Sequence, residues 1–431
     1  MVIYIIVINN IEGCVKVGRN KPNIIFIMMD DMGYGDVGCY GNTIIKTPVM
    51  DGIAEDGMRF TQMYSAPICS PARAQLMTGK YAQRVGIPRV LFPDDVCGIE
   101  LKHKSIASYL KEQGYASMCI GKWHLGCCEE HFPTRHGFDR FYGLLYSNDM
   151  NPLHIYRDEK VEEYQVDQST LTEKYTMEAI RFIKEHKERP FFCYLAHTMP
   201  HIPLHVPEEF RGKSVCGTYG DTIECIDFYI GKILQSLKEF NIDEETLLIV
   251  TSDNGPWYEG STGNLRGRKF SVYEGGIRMP FIARWPGVIP AGAVCSETAH
   301  FMDMLPTFIK LADGNAVEGV DGKDISGLLE GKGKTPHEYL YFYFNESLNA
   351  VRYGKWKLVV ADGSEINFPG SGNNMQIKDM PQLYDIDADP GESYNLADRH
   401  PELVSELINK MKEYDYSIQP IMNTQRRKGE D

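Results

Sequence analysis

Cys69 lies near the start of the stretch Ile68–Gly79, which reads as a loop turning abruptly into a short helix. Ser70 suits the N-cap, and Pro71 suits the first helical position, where its missing N–H costs nothing. Gly79 is placed to close the helix in a left-handed cap. Cys69 then stands at a helix N-terminus, where free N–H groups and the dipole favour an anion. Arg73, four residues on, rises from the first turn and can lean back to the same point. A reactive side chain, an anion-favouring helix end and a fixed cation together describe a site for an oxyanion substrate.

Two further clusters carry hard oxygen ligands. Ile24–Met29 is an apolar run that delivers Asp30 and Asp31 at its carboxyl end. Leu247–Val250 repeats the arrangement, leading through Thr251 and Ser252 to Asp253 and Asn254. Adjacent carboxylates at the end of a buried strand are costly unless a cation neutralises them. Asp30, Asp31, Asp253 and Asn254 would make an all-oxygen site, suited to calcium or magnesium rather than zinc.

Basic residues follow in three loops. Gly121-Lys122-Trp123-His124-Leu125-Gly126 comes after a predicted strand, and alternation about Trp123 would send Lys122 and His124 to one side. His201 lies in a Pro-His-x-Pro setting after another apolar run, Phe191–Ala196, while His197 and His205 read as packing or rim residues. Lys269 closes the basic stretch Leu265-Arg266-Gly267-Arg268-Lys269, which precedes Tyr273–Pro280.

These motifs resemble, in order, the signatures of the type I sulfatases, a family of the alkaline-phosphatase-like superfamily. Cys69-x-Pro71-x-Arg73 with Leu76, Thr78 and Gly79 matches the first. The Lys122–His124 stretch, the His201 setting and the Lys269 loop match the later ones. Leu383-Tyr384-Asp385, Asp389-Pro390-Gly391-Glu392 and Asn395-Leu396 resemble the family's tail motif. The likeness runs from Lys21 to Tyr416.

The resemblance implies that Cys69 is converted to formylglycine by a maturation enzyme, and that the hydrated aldehyde is the nucleophile. It also implies that calcium, with magnesium the lesser candidate, is held by Asp30, Asp31, Asp253, Asn254 and the residue-69 oxygen. Arg73 and His124 would support the hydrate, and Lys122, His201 and Lys269 would bind the sulfate. Either His201 or Lys269 would protonate the departing alcohol. The implied activity is hydrolysis of sulfate esters on a sulfated small molecule or glycan. A phosphonate or phosphodiester hydrolase of the same superfamily is the alternative within the class, and a non-catalytic sulfoglycan-binding protein the alternative outside it. Arg89, Asp149, His154, Trp257 and Arg266 sit in neighbouring loops as subsite candidates.

The elements that must position these residues alternate strand and helix as far as about Leu329. Such alternation predicts an α/β fold with a large, mostly parallel sheet sandwiched by helices, and ligands at the carboxyl edge. Helices are expected over Ser105–Gly114, Thr172–Lys187 and Tyr219–Phe240. After the glycine- and lysine-rich stretch 331–336 the pattern becomes short β runs with turns, then a helix over Pro401–Tyr414. The expected division is an extension over 1–20, a catalytic domain over 21–334 and an antiparallel-sheet subdomain over 335–431.

Composition narrows the class further. The 431 residues are 43% hydrophobic and 24% charged, as in a globular protein. A formal charge of −14 argues against nucleic acid as a partner, so positive charge must be concentrated locally at an anion site. Eleven cysteines, an odd number without zinc-type spacing, fit mostly free thiols. No apolar run approaches the ~20 residues of a membrane span, and the expectation is that the protein is not an integral membrane protein. Val2–Ile8 is short and lacks a basic leader, so it reads equally as a degenerate export signal, an extra edge strand or a misplaced start, and cytoplasmic and exported locations both stay open.

Overall fold

The computed structural model describes residues 21–361 and 381–418. The 1–20 extension with its Val2–Ile8 run, and the chain end over 424–431, read as frayed from sequence, lie outside the described residues. Eleven strands form one large sheet: β1 (Asn23–Met29), β2 (Met58–Tyr64), β3 (Ala116–Lys122), β4 (Arg140–Leu144), β5 (Ile155–Arg157), β6 (Lys160–Glu163), β7 (Phe191–Ala196), β8 (Thr246–Ser252), β9 (Arg278–Arg284), β10 (Ala293–Cys295) and β11 (Ala299–His300). Their order is β10-β2-β9-β8-β1-β7-β3-β4-β5-β6, with β11 beside β2. The centre, β8-β1-β7-β3-β4, is parallel throughout. β9 runs against both β8 and β2, and β5 and β6 add an antiparallel edge. The sheet is therefore parallel in its middle and mixed at its margins.

The continuous apolar runs of β1, β7 and β8 are buried along their whole length because both faces of the sheet are covered. Successive side chains alternate between the faces. Ile24, Phe26 and Met28 of β1 join Phe192 and Tyr194 of β7 in a core shared with helices Cys69–Thr78, Ile106–Glu112 and Met304–Leu311. Ile25, Ile27 and Met29 join Cys193 and Leu195 in a second core under helices Pro48–Glu55, Leu171–His186 and Gly217–Glu239. Each such side chain contributes roughly 1.5–3 kcal/mol when fully buried, so the two cores hold the strand ends stiffly at one edge.

A second sheet follows, antiparallel in simple order: β12 (Tyr339–Phe344), β13 (Ser347–Tyr353), β14 (Trp356–Val359) and β15 (Gln382–Asp385). One face packs on helix Pro401–Ser417 through Tyr341, Tyr343, Val351 and Leu383, with Tyr341 and Tyr414 stacked at 3.8 Å. The other face, with Leu340, Phe342, Phe344 and Val359, packs on Ile68, Val272, Tyr273 and Ile277 of the large unit.

Candidate active site

β2, β8, β1, β7 and β3 all point the same way, and the candidate residues leave from or just beyond their carboxyl ends. Cys69 follows β2, Asp30 and Asp31 follow β1, and Asp253 and Asn254 follow β8. Lys122 is the last residue of β3, and His201 lies beyond β7. The β2 contribution is not visible in sequence, because Met58–Tyr64 carries polar residues between apolar ones and pairs with the antiparallel β9.

The helix bearing the cysteine starts earlier than its sequence suggests. It spans Cys69–Thr78 with Ile68 as N-cap, and Ser70 does not cap it. The Ser70 hydroxyl instead accepts the Leu91 N–H at 3.2 Å. Cys69 is thus the first helical residue, and the helix ends as expected with Gly79 at φ +65°. All ten residues of this helix are buried. Burial pushes the Cys69 thiol above its ordinary range, against the pull of the Lys122 and Lys269 ammoniums. The sulfur is therefore held as a thiol, not a thiolate.

The acidic cluster is compact. Asp30, Asp31 and Asp253 each bring one carboxylate oxygen within 4.8 Å of the others, and all three are buried. Asp31 takes a left-handed conformation, φ +66°, and its N–H donates to Asp253 Oδ1 at 3.2 Å. Asn254 Nδ2 donates to Asp31 Oδ1 at 2.6 Å. Two oxygens of this group, Asp30 Oδ1 and Asn254 Oδ1, are buried without a hydrogen-bond partner. Orphaned acceptors in an all-oxygen cluster fit a hard divalent cation, so these residues could hold one.

Cations line the same cluster. Arg73 is fully buried, donates from Nε and Nη2 to Asp253 Oδ2 at 3.2 and 2.8 Å, and reaches the Lys122 carbonyl at 2.7 Å. Lys122 Nζ donates to Asp30 and, at 3.1 Å, to Ser147 Oγ. Lys269 Nζ donates to Asp31 Oδ2 at 2.8 Å. Burial alone would raise the Asp30 carboxyl, but Lys122, His201 and Arg73 outweigh it and hold Asp30 far below the usual range. Lys269, despite burial, is held above the ordinary lysine range by Asp31.

Both histidines face this pocket, and burial lowers the pKa of each. His124 Nε2 donates to the Leu91 carbonyl at 2.8 Å, leaving Nδ1 buried and unpartnered. Burial, then Lys122 and Arg73, push its pKa well below the histidine range. The expected extended Lys-x-His alternation does not occur, because His124 sits at φ +60° and turns its ring toward Leu91. His201 Nδ1 donates to the Ile202 carbonyl at 2.6 Å, which leaves Nε2 facing Asp31 Oδ2 at 3.7 Å. Burial and Lys269 lower its pKa.

The ten candidate site residues therefore meet in one place, and the subsite candidates do not all join them. Arg89 is paired with Asp95 at 2.8 Å, and Arg266 donates to the Tyr384 hydroxyl and the Glu392 carbonyl. Trp257 packs edge-on to Phe270, His154 packs on Tyr164, and Asp149 is exposed. Sequence reasoning missed Ser147 and the Leu91 carbonyl. The first follows β4, whose apolar run Phe141–Tyr146 could have flagged a strand end; a backbone carbonyl leaves no signal.

The sulfatase family model matches residues 22–314, and the C-terminal region of aryl-sulfatase matches residues 335–430. This chain belongs to the sulfatase family. It is a sulfuric ester hydrolase, similar to steryl-sulfatase of Homo sapiens, with 33% identity over 91% of this chain and 87% of that one. It is also similar to N-acetylgalactosamine-6-sulfatase of Canis lupus familiaris, with 34% identity over 87% of this chain and 82% of that one. Among solved structures the sulfatase resembles Ps i-CgsB in complex with k-i-k-neocarrahexaose, at TM-score 0.83 and 28% identity, covering 94% of this chain and 95% of that one. The alkaline-phosphatase-like fold expected from the motifs is the fold observed.

Proposed function

We propose that this sulfatase hydrolyses sulfate esters carried by carbohydrates of the glycosaminoglycan type. It would use formylglycine made from Cys69 by a maturation enzyme and calcium held by Asp30, Asp31, Asp253, Asn254 and the residue-69 oxygen. One observation carries the reading: a buried cysteine lies among an all-oxygen acidic cluster and the ammoniums of Lys122 and Lys269. The carbohydrate class is supported by the amino-sugar sulfatase among the relatives and by the oligosaccharide bound to Ps i-CgsB. The division into residues 21–334 and 335–431 belongs to the same proposal. It is supported by the change from the large sheet to the separate antiparallel one.

The residues divide the work by charge and proton affinity. Formylglycine would supply, as its hydrate, an oxygen nucleophile that the protonated thiol does not provide. Calcium would polarise the ester oxygens and favour the ionised form of an oxygen ligand. Lys122 and Lys269 bind the sulfate oxygens, and the raised proton affinity of Lys269 keeps it charged throughout turnover. Arg73 fixes Asp253 and the end of β3. His124, neutral with a bare Nδ1, can accept a proton within the pocket. His201 presents Nε2 to the pocket and is assigned the proton to the departing alcohol; it donates as the imidazolium, the form that Asp31 and Asp30 favour against burial.

Intact-mass analysis of the 68–73 peptide from a maturation-competent host should show a loss of about 18 Da at Cys69, as replacement of the thiol by an aldehyde requires. Unmodified thiol in active protein would overturn the mechanism. A panel of sulfated saccharides, steroid sulfate and aryl phosphodiester should show preference for the saccharides. Preference for the diester would move the enzyme to the phosphonate-hydrolase class.

A further inference from the structure

The loop that carries Lys269 is gripped at both ends by one residue of the C-terminal unit. Glu392 Oε2 accepts the main-chain N–H of Glu274 at 2.7 Å, and the Glu392 carbonyl accepts from Arg266 Nη1 at 3.1 Å. Lys269 lies between those two points. The loop base is closed by Gly275 N–H donating to the Arg266 carbonyl at 2.6 Å. A Cβ at Gly275 would stand 2.7 Å from that same oxygen, so the closure tolerates only glycine.

Glu392 is itself held in place. Its Oε1 lies 2.9 Å from Lys357 Nζ, and the same ammonium donates to Glu274 Oε1 at 2.9 Å; all three side chains are fully buried. Glu274 also accepts from Tyr64 at 2.7 Å and from Arg278 at 3.2 Å. Glu392 adopts φ +51°, a left-handed conformation that a non-glycine residue keeps only where its surroundings enforce it. The tip of the loop is tied inward: Lys269 N–H donates to the Pro256 carbonyl at 3.0 Å. The Phe270 N–H donates to Pro67, two residues before Cys69, at 2.9 Å. Phe270 also meets Phe344 of β12 edge-on at 6.3 Å.

We propose that Glu392, with Lys357, is a positioning residue that sets Lys269 over the site from the C-terminal sheet. The inference rests on Lys269 binding sulfate, as assigned above. The tail motif Asp389-Pro390-Gly391-Glu392 thereby fixes the entry and exit of the lysine loop without touching substrate. A point charge on a flexible stem binds a tetrahedral anion well only if its backbone is fixed, and a displacement near 1 Å can cost about 100-fold in rate.

The test is a double-mutant cycle on matured enzyme with 4-nitrophenyl sulfate, whose good leaving group keeps weak variants measurable. Glu392→Ala should lower kcat/KM by roughly 10- to 100-fold. Glu392→Gln, which keeps an acceptor for the Glu274 N–H, should recover most of that loss. In a Lys269→Ala background, Glu392→Ala should change kcat/KM by less than about twofold, since coupled residues are non-additive. An undiminished loss in that background, or a wild-type rate for Glu392→Ala alone, would overturn the positioning role while leaving the assignment of Lys269 intact. A wild-type rate for Lys269→Ala would remove both. If Glu392→Ala fails to fold, Arg266→Ala releases the other grip and enters the same cycle with the same outcomes.

Discussion

Around the sulfatase pocket each buried carboxylate has a buried cation, so a single truncation strands its partner. Arg73→Ala leaves Asp253 without its two guanidinium donors and should cost roughly 3–5 kcal/mol in urea unfolding, because both groups are fully buried. Lys269→Ala strands the buried Asp31 carboxylate and should lower kcat/KM by about 10²–10³ while also lowering the urea midpoint. His201→Ala should cost more on alkyl or sugar sulfates than on 4-nitrophenyl sulfate, since the nitrophenolate leaves without a proton; equal losses would return the acid role to Lys269. Chelation with EGTA should abolish activity, and calcium should restore it better than magnesium. The residues of this pocket were legible because their types are chemically narrow: paired aspartates, a lysine or histidine after a strand, a cysteine before Pro-x-Arg. Ser147 and the Leu91 carbonyl were not, since a serine and a peptide oxygen are common and acquire meaning only once the fold places them beside Lys122 and His124.

Elements decide where those residues point. Gly79 ends the cysteine helix at φ +65°, and a Cβ there would lie 3.2 Å from Leu305 Cβ. Gly79→Ala should therefore destabilise by about 1 kcal/mol, read as a lower urea midpoint with an unchanged slope. Buried parallel strands announced themselves as unbroken apolar runs, as in Ile24–Met29 and Phe191–Ala196, because both faces are covered. Strand β2 did not, since Arg59, Thr61 and Gln62 interrupt its pattern. The cysteine helix starts earlier than its local signals indicate because Ser70 is a good cap by type, yet its hydroxyl is engaged by Leu91 from another loop. Tertiary contacts overrode the local preference there, as they did where His124 leaves the extended region.

On the scale of the whole molecule, the seam between the two units contains a buried ionic cluster. Burial would raise the Glu274 carboxyl, but Lys357, Arg278 and Arg352 outweigh it and bring its pKa from 4.5 down to about 2. A depressed carboxylate stabilises the fold fully above its unfolded value and loses that contribution as pH falls toward the folded one. Melting temperature should therefore drop between pH 4.5 and 2 more steeply in the wild type than in Glu274→Gln. Parallel slopes would show that the seam does not titrate. The change of architecture after about residue 335 could be read from the shift to short aromatic strands. The seam chemistry could not, because Glu274, Lys357 and Glu392 are separated by 118 residues of chain at the extremes and become neighbours only on docking.

Cys69 is 2% exposed, within a helix whose every residue is buried. If residue 69 is converted as proposed, a macromolecular catalyst, unlike a small sulfate ester, must meet it before the polypeptide closes, which would make conversion a race against folding. Protein that folds first would keep its thiol out of such a catalyst's reach for as long as it stays folded. Yield of active enzyme would then follow the interval between synthesis and collapse. Folded thiol-form protein incubated with a converting enzyme should stay inert, whereas the urea-unfolded chain, treated and then refolded, should gain activity.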